Sequence, residues 1–421
     1  MKKGANLHWA WIIVAVCFVD LFINYSVRIG YGVVLPEMIA NLGFSRTAGG
    51  TIYNAYLFTY ILLTPFTGIF TDRFGARRVI SVCSLVLGIG VLLMGTIQSL
   101  AAACFFYAIV GIGATGMWTP VITVVQRWFA PNRRGMALGI LSTGYGLGFA
   151  SMGIAFPWIV HNLNWRYAWY ILGGAAVVMT VGNGLLLRND PRESGVQPWG
   201  EKESPAGGGG VWPAGKAAPD ERMTLGDVFR TSRFWLVGVS YFAVAYGLYG
   251  ITTFMVDYAE DQLGLPLETA SLLATFHGLF QIAGVLTLLP LSDRLGRKKT
   301  IILSNSLITL CLAGILLTGQ SATLLFVEIS VMAMAHGATF PMYGACAGDY
   351  FPKRVMGSVI GAWTPFYGLG AIATHWVTGI LRDTTGSYTL SFGINVFMAF
   401  LGIVFMALMK AEGGESAWRK D

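Results

Sequence analysis

Gly68-Ile-Phe-Thr-Asp72-Arg73-Phe-Gly75-Ala-Arg77-Arg78 returns in outline 221 residues later as Ser292-Asp293-Arg294-Leu-Gly296-Arg297-Lys298-Lys299. The same offset carries Asp72 onto Asp293, Arg73 onto Arg294, Gly75 onto Gly296, Arg77 onto Lys298, Arg78 onto Lys299, Pro120 onto Pro341 and Pro131 onto Pro352. With one further residue of shift, Gly135 falls on Gly357, Gly139 on Gly361, Tyr145 on Tyr367, Gly146 on Gly368 and Gly148 on Gly370. Chance gives one such coincidence, not a dozen, so the chain reads as two related halves.

The halves are apolar. Of 421 residues, 55% are hydrophobic and only 12% charged, against about 25% charged in soluble proteins. Mean hydropathy is +0.61. This composition excludes collagen, disorder and soluble enzyme folds, and the 54 glycines are spread through apolar runs where transmembrane helices pack closely. A bilayer core of about 30 Å takes roughly 20 apolar residues per helix. Windows of that size fall at 9–36, 48–71, 79–98, 101–128, 136–160, 167–187, 233–258, 269–291, 300–319, 322–349, 356–381 and 388–410. The expected fold is all-α: twelve transmembrane helices in two pseudo-symmetric six-helix bundles, 1–187 and 233–421, joined by a linker, 188–232. Halves related in this way are expected to enclose a pathway between them.

The basic residues orient the chain. With both termini on one side, that side gathers Lys2, Lys3, Arg73, Arg77, Arg78, Arg127, Arg133, Arg134, Arg294, Arg297, Lys298, Lys299, Lys353, Arg354, Lys410, Arg419, Lys420 and those of the linker. The other side receives Arg46, Arg166 and Arg382. Both termini are therefore expected in the cytoplasm. The net charge of +7 reads as a topology signal toward lipid headgroups, not toward nucleic acid. The first apolar run lacks a small-residue cleavage site and reads as a retained span. The linker, with Gly207 to Gly210 in a row and five prolines, reads as flexible. Near its end Met223, Leu225, Val228 and Phe229 have helical spacing after Thr224, fitting a short surface helix, with a plain loop as the alternative. Five cysteines without a CxxC pair or histidine partner at ligand spacing give no reason for a disulfide or metal.

The loop pattern GxxxDRxGxRR of the first half, repeated as DRxGxKK in the second, resembles the signature loop of the major facilitator superfamily, and the resemblance spans the chain outside the linker. It implies a conformational latch on the cytoplasmic side formed by Asp72, Arg73, Asp293 and Arg294. The alternative is that the charges cap helices and obey the positive-inside rule. Arg127-Trp-Phe-Ala-Pro131-Asn-Arg133-Arg134-Gly135-Met-Ala137-Leu-Gly139-Ile, continued through Gly144-Tyr145-Gly146-Leu-Gly148 to Asn164-Trp165-Arg166, resembles bacterial carriers of the monocarboxylate and oxalate/formate type. It is similar, less closely, to anion:cation symporters, whose first-span NYxDR motif appears here as Asn24-Tyr25-Ser26-Val27-Arg28. The aspartate of that motif is Val27, the fourth-span glutamate of such chains is replaced by Gly113-Ala114-Thr115, and the eighth-span Asp/Arg pair by His277 and Gln281. The GP-GG motif of drug antiporters is absent from Gly144 to Gly153.

An ionisable side chain inside the bilayer costs about 2.5 to 3.5 kcal/mol on insertion scales, so it marks function by default. Arg28 is the basic residue well inside a span, with Asn24 one turn and Asp20 two turns below it. A guanidinium keeps its charge and forks two donors onto a carboxylate. The alternatives are an internal Asp20–Arg28 ion pair or snorkelling to the surface. The carboxylates Asp257, Glu260 and Glu268 fall near the outer end of the seventh span; most read as solvated, with Asp257 alone in reach of the pathway. Histidine titrates near neutrality, so His336, His277 and Asp20 are the candidates for coupling a proton; a hydrogen-bonding helix contact is the other reading of each histidine. Trp118 and Phe340 flank the repeated Pro120 and Pro341, and helix interruptions at matching places often mark a midplane site. On that ground Trp118, Tyr249, Trp363 and Tyr367 join Arg28, Asn24 and Gln281 as substrate-binding candidates.

The resemblance implies a proton-coupled secondary transporter of a small organic anion, a monocarboxylate such as lactate or pyruvate, in a bacterial inner membrane. It implies a monomer that needs no cofactor or metal; its partners are a small-molecule carboxylate, protons and membrane lipid. An aromatic acid, a sugar acid, dicarboxylate exchange or a neutral solute remains the alternative. No HExxH, GxSxG or P-loop supplies chemistry for an enzyme or pump.

Overall fold

The computed structural model describes residues 8–130, 133–200, 223–317, 319, 321–351 and 353–409. The Pro131/Pro352 repeat pair, the glycine run 207–210 and the terminal lysines lie outside them. Helices fill the twelve expected windows. Among the described residues ten are long and apolar enough to cross a membrane. The second and eleventh spans, Arg46–Phe74 and Lys353–Thr385, are long helices of lower hydropathy. Side chains such as Phe105, Val178 and Leu310 stay about two-thirds exposed along these helices, as lipid-facing positions require.

Two compact units emerge. The first contains the described residues up to 200 together with Thr252–Ile282 and His375–Tyr388. The second contains the described residues from 223 to Ile251, with Ala283–Thr374 and 389–409. The division differs from a cut at the linker because the Thr252–Ile282 and His375–Tyr388 stretches pack with the first six spans.

The repeated loop has a local cause in each half. Gly75 ends the second span at φ +85° and Gly296 ends the eighth at φ +87°, a region that a side chain would strain. Each donates its N–H to the helix it ends, Gly75 to Thr71 O at 3.0 Å and Gly296 to Ser292 O at 3.1 Å. The basic residues that follow also match. Arg77 donates its guanidinium to Gly184 O at the end of the sixth span, and Lys298 donates to Ala407 O and Met409 O at the end of the twelfth. These two repeated charges cap helix C-termini.

Helix breaks depart from expectation. The fourth span is interrupted, running Leu100–Ala114, Thr115–Met117 and Thr119–Trp128, with Trp118 at φ −125°, ψ −75°. The tenth span, Ala322–Tyr350, continues through Pro341, so the matching interruption expected there is absent. The first span instead breaks between Trp9–Arg28 and Tyr31–Leu42. The seventh breaks between Ser232–Thr252 and Met255–Asp257. At the first break a Cβ on Gly30 would stand 1.9 Å from Ser26 O, so only glycine fits. The Val27 carbonyl there accepts from Tyr107 Oη at 3.0 Å, which satisfies a backbone group in a region without water.

Around that break the first unit packs Tyr31, Tyr53, Tyr56, Tyr107 and Trp169, all buried. Neighbouring ring centroids lie 5.0 to 6.4 Å apart. The second unit has its own core on Phe234, Val237, Tyr241, Met342, Tyr343 and Trp363. Thr224 and Asp227 form a reciprocal cap on a helix at Leu225–Phe229. That short helix buries Val228 in the second unit's core, which a helix lying only on a membrane surface would not do.

Candidate functional site

Arg28 ends the helix Trp9–Arg28 at the first break and is 9% exposed. Its guanidinium carbon lies 4.9 Å from the Tyr60 ring centroid, 5.7 Å from Tyr25 and 5.9 Å from Tyr56. Aromatic faces hold a guanidinium in low dielectric without neutralising it. Snorkelling is therefore not how this charge is accommodated. Tyr56 and Tyr60 come from the second span, four residues apart on one helical face, and their role was not legible from the first span's motif.

Asp20 is 2% exposed, and its Oδ1 accepts from Asn183 Nδ2 of the sixth span at 2.9 Å. The expected alternative of an Asp20–Arg28 ion pair gives way to this contact; eight helical residues put the two Cα atoms about 12 Å apart. Asn24 between them is 4% exposed. In the eighth span, Leu267–Leu295, His277 is fully buried with its ring 5.3 Å from Phe149 in an edge contact, and Gln281 is 2% exposed. Trp118 is half-buried at the fourth-span break. A further histidine is held on both sides: His375 Nδ1 meets Asn54 Oδ1 at 2.7 Å and Nε2 meets Thr253 Oγ1 at 2.9 Å.

In the second unit His336, Tyr249 and Tyr367 come together. His336 Nε2 is 3.5 Å from Tyr367 Oη, and the Tyr249 ring lies 6.2 Å from His336 and 5.6 Å from Tyr367. Trp363 is not with them. Its indole N–H donates to Phe234 O at 2.9 Å, its ring stacks on Phe234, and it is 1% exposed. It serves the core of that unit.

At the basic-loop end, Asp72, Arg73 and Arg294 are exposed, and Asp293 lies in the eighth-span helix with its side chain outside the described set. The firm ties of the first unit lie at the opposite end. Arg46, which opens the second span, donates to Asp257 at 3.1 and 3.3 Å and lies 3.2 Å from Asp261. Tyr388 Oη donates to Asp257, and Arg382 donates to Asp261. Asp383 accepts from the Arg46 and Thr47 backbone N–H groups at 2.9 and 2.8 Å and from the Thr47 hydroxyl, a carboxylate on a helix N-terminus. Asp257 is 1% exposed, set apart from solvent by these ties. Its partners arrive from the second span and from the segment after the eleventh, which no local spacing announces.

Beyond the membrane-spanning stretch Ser232–Thr252, Glu260 sits among these charges. Burial first, then the carboxylates of Glu37, Asp257 and Glu268, raise its carboxyl from 4.5 to about 7. A raised carboxyl favours this arrangement while protonated. Its contribution is full below about pH 4.5 and is lost as pH rises through about 7. The melting temperature of the purified protein is expected to fall by about 2 °C or more between about pH 5 and about pH 8, and Glu260→Gln to flatten that slope. An unchanged slope in the variant would assign the dependence elsewhere.

The family model of the Major Facilitator Superfamily matches residues 17–271 and 237–420. The chain belongs to this superfamily. Its relatives are membrane transporters, and this superfamily member is a transporter, not an enzyme. It is 25% identical over 418 residues to a probable sulfoacetate transporter, SauU, of Cupriavidus necator, covering 94% of this chain and 92% of that one. It is 24% identical to the hexuronate transporter of Bacillus subtilis, covering 91% and 92%, and 25% identical to monocarboxylate transporter 12-B of Danio rerio, covering 94% and 87%. Among solved structures, a point mutant of the nucleoside transporter NupG superposes with a TM-score of 0.75 at 14% identity, covering 96% and 100%. A bacterial homolog of the human lysosomal transporter Spinster, inward-facing and unoccupied, gives 0.70 at 16%, covering 97% and 96%. At these identities the solved structures speak for the fold alone.

Proposed function

We propose that this superfamily member carries a small organic anion, a monocarboxylate such as lactate or pyruvate, by alternating access coupled to protons. The observation that carries the reading is Arg28, a guanidinium 9% exposed and faced by three tyrosine rings. A permanent charge held in low dielectric attracts a carboxylate far more strongly than one in water, and its fork geometry selects that group. Relatives named for sulfoacetate, hexuronate, galactonate and monocarboxylates support an acid as cargo. Asn24 and Gln281 supply polar contacts and Trp118 an apolar wall. The basic-loop end is the cytoplasmic one, of a bacterial inner membrane, and both termini lie there. The ties of Arg46, Arg382 and Asp383 then belong to the outer side, and Asp72, Arg73, Asp293 and Arg294 serve as the latch of the cytoplasmic side.

Uptake of labelled lactate into proteoliposomes, with and without an inward proton gradient, tests this reading. An excess of unlabelled lactate, pyruvate, galactonate or hexuronate is expected to compete, and lactamide, of similar shape without the charge, is not. Competition by lactamide as strong as by lactate would overturn the anion reading.

A further inference from the structure

Asp20 and Asn183 meet inside the first unit with one donor too few. Asn183 Nδ2 donates to Asp20 Oδ1 at 2.9 Å, while Asp20 Oδ2 and Asn183 Oδ1, both buried, have no hydrogen-bond partner. The two residues are 2% and 0% exposed. An ionised carboxylate has only acceptors and a carboxamide has one nitrogen donor, so an ionised pair leaves acceptor oxygens stranded whichever way the amide is turned. A stranded buried acceptor costs its full desolvation, and a buried charge costs more. A single proton on Asp20 Oδ2 supplies the missing donor, because a carboxylic acid and a carboxamide complement one another edge to edge.

We infer that Asp20 and Asn183 form a proton-binding site in which Asp20 is a neutral carboxylic acid in this conformation, donating to Asn183 Oδ1 while accepting from Nδ2. Cys17, one turn away on the same helix, is in electrostatic contact with Asp20. The elements packed on the first span carry their other titratable groups elsewhere along their length. On the fifth, Tyr145 rests against Tyr25 and Arg134 and His161 lie at its ends. On the sixth, Arg166, Tyr167 and Tyr170 lie at the end opposite Asn183, and Arg188 beyond it lies over Trp9. Arg127 lies in the last turn of the fourth.

The placement suggests how a proton and an anion share one helix. This part rests on the proposed anion carriage. Asp20 holds the proton, and Arg28, two turns along, holds the carboxylate of the cargo. The proton leaves Asp20 and the anion leaves Arg28 in the same half of the cycle. Anion and proton then move as a neutral pair, one to one.

Infrared difference spectroscopy of the purified protein at neutral pH tests the site without reference to any cargo, since an exposed aspartate ionises near pH 4. Wild type minus Asp20→Asn is expected to show a protonated-carboxyl C=O band, which moves to higher frequency in Asn183→Leu as its hydrogen bond is lost. Absence of that band, with a carboxylate band in its place, would overturn the inference. In proteoliposomes loaded with the transported acid, Asp20→Asn is expected to keep counterflow while losing accumulation driven by a proton gradient. Gradient-driven accumulation equal to wild type would overturn the coupling role. A spectroscopic band with no transport of any acid would leave the proton site standing and sink the cargo reading instead.

Discussion

Replacing Arg28 with alanine is expected to reduce transport of the carried anion by at least about 100-fold. Hydrogen bonds to a charged group contribute about 1.5 to 3 kcal/mol each. A guanidinium fork that loses two of them therefore loses roughly 3 kcal/mol or more, which is about two powers of ten in affinity. Arg28→Lys separates charge from geometry. An ammonium keeps the charge but offers no planar fork, so an intermediate rate is expected, with the loss concentrated in the half-saturation concentration. The tyrosines sharpen the forecast. Phenylalanine at Tyr60, whose ring lies nearest at 4.9 Å, keeps the aromatic face and should be mild, whereas leucine removes the face and should not. Initial rates of uptake across this series check the order wild type, Tyr60→Phe, Arg28→Lys, Arg28→Ala. Equal rates for wild type and Arg28→Ala would make the arginine a packing element of the tyrosine cluster.

The second large effect is expected at the other charged cluster. Asp257 is 1% exposed and joins Arg46 to Tyr388. Removing one member of such a pair costs about 2 to 5 kcal/mol, and the low end applies because the Arg46 side chain is 27% exposed and keeps Asp261. Asp257→Ala should therefore weaken these ties by about 2 kcal/mol, roughly a 30-fold shift toward states in which they are broken. Spin labels at the exposed positions Asn41 and Thr384, in a background with the five native cysteines replaced, read this as a longer distance population. An unchanged distribution would show that Asp383 on the second-span N-terminus suffices alone.

Local sequence carried much of this architecture because its causes are local. Apolar windows set the helices, and the need for φ near +85° fixes Gly75 and Gly296 at one position of each half. Thr224 with Asp227 announces a cap whose cause lies within four residues. Features made by distant residues stayed out of reach. The spacing of Asp20, Asn24 and Arg28 leaves an ion pair along one helix open as an alternative, yet Asp20 is held by Asn183, 163 residues away in sequence. The tyrosines facing Arg28 come from another span, and Asp257 is paired through Arg46 and Tyr388. Proline misled in the tenth span, where Pro341 is accommodated in a continuous helix; neighbouring helices in a membrane re-satisfy the backbone group that proline frees. The first span breaks at Gly30 instead, where contact with Ser26 O excludes any side chain.

The central claim is that Arg28 binds the carboxylate of the cargo. Isothermal titration of purified wild type and Arg28→Ala with lactate and with lactamide tests it most directly, because binding needs neither a gradient nor a working cycle. The account predicts heat of binding for lactate on the wild type alone, with none for lactamide and none for lactate on the variant. Undiminished lactate binding by a folded Arg28→Ala protein would contradict it.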